Sequence, residues 1–170
     1  MSKKKDPAII SQHLQALGVP QPEADSAAKM EIESGISQYP HYAFLHGAWS
    51  TVVREGDREW MDFIIERASE NPTEPGAGAG FALKRLLAAG VDPADITELV
   101  RVMQWEVIQS ICYQLEDFDS VDYPNEDMPH AKWALMELND KDKPVGQITG
   151  LHELVLLTEP SKREMRPKPE

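Results

Sequence analysis

The stretch Asp92-Pro93-Ala94-Asp95-Ile96-Thr97-Glu98-Leu99-Val100-Arg101-Val102-Met103-Gln104-Trp105-Glu106-Val107-Ile108-Gln109-Ser110-Ile111-Cys112-Tyr113-Gln114-Leu115-Glu116 decides the fold. Ile96, Leu99, Val100, Met103, Val107, Ile111 and Leu115 recur at helical spacing, and Trp105, Ile108 and Cys112 widen that face. Asp92 can cap the helix and Pro93 suits its first turn, so the pattern predicts one long helix over 94–116. A helix that is apolar around much of its circumference belongs at the centre of a bundle.

Working outward, Asp6-Pro7 repeats the same opening, with Ile10, Leu14 and Leu17 on one face and Gly18 as the stop. After Pro22 an Ala- and Glu-rich segment to about Ser37 carries a thin stripe of Ala24, Ala27, Ala28 and Ile32 and reads as a surface helix. Two aromatic-rich helices follow, one from Tyr42 to about Glu55 and one through Trp60, Met61, Phe63, Ile64 and Ile65. Gly56-Asp57 between them predicts a tight turn and an antiparallel helix pair. Residues 73–80 read as a Pro/Gly/Ala linker leading into a short helix that ends near Ala89.

Beyond the long helix, Trp133–Leu138 and Val145–Thr149 have strand-like content around the turn-forming Asn139–Lys143, which predicts a small β-hairpin. Leu151–Leu157 is an apolar run that periodicity assigns to neither helix nor strand. The fold class is therefore mainly α: a single-domain bundle of about five to six helices with a small hairpin near the C-terminus. Residues 6–160 form the domain, flanked by basic segments 1–5 and 161–170 whose composition predicts disorder.

Composition limits the function. The chain has 170 residues and a net charge of -12 from 29 acidic and 17 basic side chains. The flanking segments hold seven of the basic residues, leaving 10 against 27 acidic ones between Asp6 and Pro160. Such a body repels nucleic-acid phosphates and anionic membranes and attracts cationic proteins. No apolar run approaches the roughly 20 residues of a membrane span. One cysteine, Cys112, excludes an internal disulfide and points to a reducing, cytoplasmic setting. Among apolar neighbours, and without a nearby cation in the sequence, that thiol reads as inert packing.

Gly76-Ala77-Gly78-Ala79-Gly80 fails as a nucleotide loop. Phe81 stands where a dinucleotide fingerprint needs glycine, and the Lys-Ser/Thr pair of a phosphate loop is absent. Glu116, Asp117, Phe118, Asp119, Asp122, Tyr123, Glu126 and Asp127 form an acidic stretch in which two aromatics sit among carboxylates, the composition of a docking surface for a basic partner. It does not fit an EF-hand: counted from Asp117, the glycine position holds Asp122 and the bidentate glutamate position holds Met128. His41 and His46 lie about 140° apart around a helix and share no face. Glu106, Gln109 and Tyr113 fall along one side of the long helix and form a candidate polar pocket.

The leading reading is a non-enzymatic protein that captures a basic partner, as an inhibitor or immunity-type protein does, without cofactor or metal. Two rivals stay open: a small enzyme using Glu106 and the acidic stretch with a divalent metal, and a structural subunit whose apolar faces make a homo-oligomer.

Overall fold

A computed structural model describes residues 6–117 and 132–167. The acidic stretch from Phe118 through Asp127 lies outside the described residues. The described residues form seven helices and one two-stranded antiparallel sheet, so the protein is mainly helical with a small hairpin near the C-terminus. The helices are α1 (Pro7–Ala16), α2 (Gln21–Ser34), α3 (Tyr39–Trp49), α4 (Glu59–Glu70), α5 (Ala77–Ala88), α6 (Pro93–Glu116) and α7 (Leu151–Leu154). The strands are β1 (Met136–Leu138) and β2 (Pro144–Gln147). Two compact units divide the chain: Met1–Ser50 with Val107–Glu170, and Thr51–Glu106. Helix α6 is the element cut by that division.

In the first unit Asp6 caps α1, accepting the Ala8 N–H at 3.0 Å. The thin alanine stripe of α2 is its packing face: Ala24, Ala27 and Ala28 are buried in one cluster with Ile10, Leu14 and Tyr42. Small side chains let α1 and α2 approach closely, and Ile32, expected on that stripe, faces outward while Glu31 is buried. Glu31 accepts the Gln38 N–H at 2.7 Å, fixing the entry to α3. Helix α3 packs on α1 and α7. At its end the Trp49 indole N–H donates to the Val155 carbonyl at 3.0 Å.

The hairpin sets Met136 opposite Gln147 and Glu137 opposite Gly146, with a register irregularity before Leu138. Its turn is held by Asn139, whose side-chain oxygen accepts N–H groups of Lys141 and Lys143. The ambiguous run 151–157 opens as α7. Residues 161–167, whose composition reads as the start of a disordered tail, form turns around the buried Glu159 carboxylate, which accepts from the Ser161 and Arg163 N–H groups.

In the second unit α4 packs on α5. The first turn of α5 contains Ala77–Gly80, so half of the expected linker is helix. Gly80 is buried against α4, and a Cβ there would meet the Ile64 carbonyl oxygen at 2.6 Å and the Ala68 methyl closer still. The core is Met61, Leu83 and Ile96 with Trp60, Ile64 and Val100 around it. Residues 51–58, expected to be partly helical, are a connection stapled to α6. Val53 donates its N–H to Gln104 and accepts from Arg101, and Thr97 donates to the Asp57 carbonyl. Buried Val52 and the stapled Val53 explain why apolar spacing there imitates a longer α3.

Candidate functional site

Helix α6 carries more apolar surface than it buries. Thr97, Arg101, Ile108 and Cys112 are buried, whereas Leu99 is 62% exposed, Met103 58%, Val107 58% and Ile111 46%. These four were expected to face the core. They stand at four-residue spacing, the ridge by which one helix inserts into the groove of another. Asp95 and the exposed Glu106 border the row. The result is an exposed row of large aliphatic side chains edged by carboxylates.

Toward the C-terminal end of α6 three of the candidate residues, Gln109, Tyr113 and Glu116, converge on His152. Glu116, with its side chain only 11% exposed, accepts the Gly150 N–H at 2.5 Å and the His152 N–H at 3.1 Å. The His152 Nδ1 lies 3.2 Å from the same carboxylate without hydrogen-bond alignment. Burial pushes the Glu116 pKa up, but the two backbone N–H groups and the imidazole outweigh it, so its pKa lies below its ordinary value. Gln109 donates to the His152 carbonyl at 3.2 Å, and the Tyr113 ring stacks on the imidazole with centroids 4.5 Å apart. Gln109 and Tyr113 therefore share a neighbour; Glu106 is exposed. Glu116, expected in the partner-binding stretch, has both carboxylate oxygens engaged within its own unit. Asp117 is exposed.

The chain matches no protein-family model, no curated protein and no solved structure.

The sequence reading missed a cleft in the first unit. It has a volume of about 560 Å³ and lies between α2, α3 and residues 149–157. Met30, Ile36, Leu154 and Leu157 supply apolar lining; Glu23, His41, Tyr42 and Glu153 supply polar groups. His41 is 5% exposed, and its Nε2 accepts the Thr149 N–H at 3.3 Å. An accepting Nε2 places the ring proton on Nδ1, and that buried donor has no partner among the described residues. The buried Glu23 Oε2 likewise has none. Tyr42 has its pKa raised, first by burial and then by the Glu23 charge, which places phenol and carboxylate in one electrostatic environment. The signal in the sequence was slight: Glu23 and Ser26 interrupt the α2 stripe, and the partner of His41 is 108 residues away.

Cys112 is fully buried and its pKa is pushed up to about 11, by burial and then by the Glu116 charge. Among the described residues no group of three or more His, Cys, Asp or Glu stands where it can hold a metal ion, and no helix is long and apolar enough to cross a membrane.

Proposed function

We propose that the protein is a non-enzymatic binding protein that captures a basic amphipathic helix on the exposed row of α6. The observation that carries the reading is the exposure of Leu99, Met103, Val107 and Ile111 side by side on one helix. The net charge of -12 supports it, because a cationic partner is drawn in over long range and then held by apolar contact. Asp117, Asp119 and Asp122, which follow the helix in the sequence, add to that negative charge. Covering a cationic partner is the work of an inhibitor or immunity-type protein, and a lone, buried cysteine suits a reducing cytoplasm.

The test is titration of a fluorescent Lys/Leu amphipathic helical peptide against the protein and two sets of variants. Leu99→Ser and Val107→Ser should each weaken binding by about tenfold. Their stability should change by less than about 0.5 kcal/mol, because both positions are exposed. Alanine at Asp117, Asp119 and Asp122 should flatten the salt dependence while leaving the high-salt affinity unchanged. Unaltered affinity in both serine variants sinks the proposal. So does a stable dimer in light scattering that Leu99→Ser dissociates, since the row would then belong to a second copy of the chain.

A further inference from the structure

We infer that the cleft between α2, α3 and residues 149–157 is a binding site for a small organic cation, a primary amine on an apolar body that also carries a hydrogen-bond acceptor. Three observations converge on that chemistry. The polar lining is acidic, with Glu23 and Glu153 and neither lysine nor arginine among the described lining residues. A carboxylate oxygen of Glu23 is buried without a partner among the described residues, an unfavourable state for a charged group until a donor is supplied. An ammonium provides both the donor and the opposite charge.

The second observation is His41. Its ring is held by the Thr149 N–H, which leaves the Nδ1–H as a fixed, buried, unpartnered donor within the lining. It calls for an acceptor, a hydroxyl or carbonyl oxygen, on the same ligand. The third is the apolar lining from Met30, Ile36, Leu154 and Leu157, of which Met30, Ile36 and Leu157 are exposed. A volume of about 560 Å³ falls within the range of small-molecule sites. A cluster of carboxylates alone attracts any cation; a carboxylate, an oriented imidazole donor and an aliphatic wall select one with an apolar body. None of these residues belongs to α6.

Calorimetric titration of the full chain with phenethylamine at near-physiological salt tests the cation and the wall, using phenethyl alcohol and 3-phenylpropionate as neutral and anionic counterparts. The expected result is saturable one-to-one binding of the amine, with the alcohol weaker by about tenfold and the propionate silent. Glu23→Gln should weaken the amine by about tenfold, whereas Glu66→Gln, on the exposed face of α4, should not. Backbone amide shifts should concentrate at Thr149 and Gly150, a readout that survives any loss of heat signal. A titration without saturation or local shifts overturns the inference, as does equal affinity for amine and alcohol. Equal losses in the Glu23 and Glu66 variants also overturn it, because they would mean diffuse attraction to an acidic surface. The acceptor is tested by 2-amino-1-phenylethanol, which should bind more tightly than phenethylamine; no gain removes His41 from the site.

Discussion

Replacing Gly80 by alanine is expected to destabilise the second unit by about 2–3 kcal/mol, although the same change two residues earlier should stabilise it. Glycine within a helix ordinarily costs about 0.5–1 kcal/mol relative to alanine. Gly78 is in α5 with nothing within 4 Å of an added Cβ, so Gly78→Ala should recover that amount. At Gly80 the Cβ would stand 2.6 Å from the Ile64 carbonyl oxygen and closer to the Ala68 methyl. Ile64 contributes backbone there, which cannot rotate away, so α4 and α5 must separate and their cluster of Met61, Leu83 and Ile96 must loosen. Trp60 borders that cluster and its indole N–H donates to Thr97, so its fluorescence during urea unfolding reports the change. Opposite signs for the two alanine variants are expected. A stabilised Gly80→Ala protein would show that α5 does not lie against α4 in this way.

That contrast shows where sequence reasoning stopped. A run of alternating glycine and alanine has the composition of a flexible linker and equally of a close helix contact, and only the facing Ile64 and Ala68 separate the two. Helix starts were legible because their chemistry is local: Asp6 and Asp92 each accept the N–H two residues on, with proline between. The hairpin was legible for the same reason, through Asn139 and the residues around it. The orientation of α6 was not. Both of its sides are apolar, and periodicity reports that a side is apolar without reporting what covers it. Buried Arg101 and Thr97 show the cost of that rule, since their side chains are occupied by the backbone of residues 53 and 57, a connection the sequence reads as the end of a helix and its turn. The cleft was hidden because its polar residues come from α2, α3 and the chain after β2, and no local spacing joins Glu23, His41 and Thr149.

Removing the Glu116 carboxylate should be the other costly change. Glu116→Ala leaves the Gly150 and His152 N–H groups without their acceptor, and hydrogen bonds to a charged group are each worth about 1.5–3 kcal/mol. A loss of about 2–3 kcal/mol in the first unit is expected, since water will recover part of the deficit. The effect must also depend on pH. The folded-state pKa of Glu116 lies below its ordinary value of 4.5, so its stabilisation is fully present above about that pH and disappears as pH falls through the folded value. Wild-type and Glu116→Ala proteins should therefore differ most from neutrality down to about pH 5 and converge in stronger acid. Hydrogen exchange at Gly150 and His152 supplies the local readout: both amides should lose protection in the variant at neutral pH, while amides of α4 and α5 keep theirs. If the two stability curves stay parallel through the acid range, the carboxylate is not what holds the start of α7, and the shallow packing of Tyr113 on His152 must carry the contact instead.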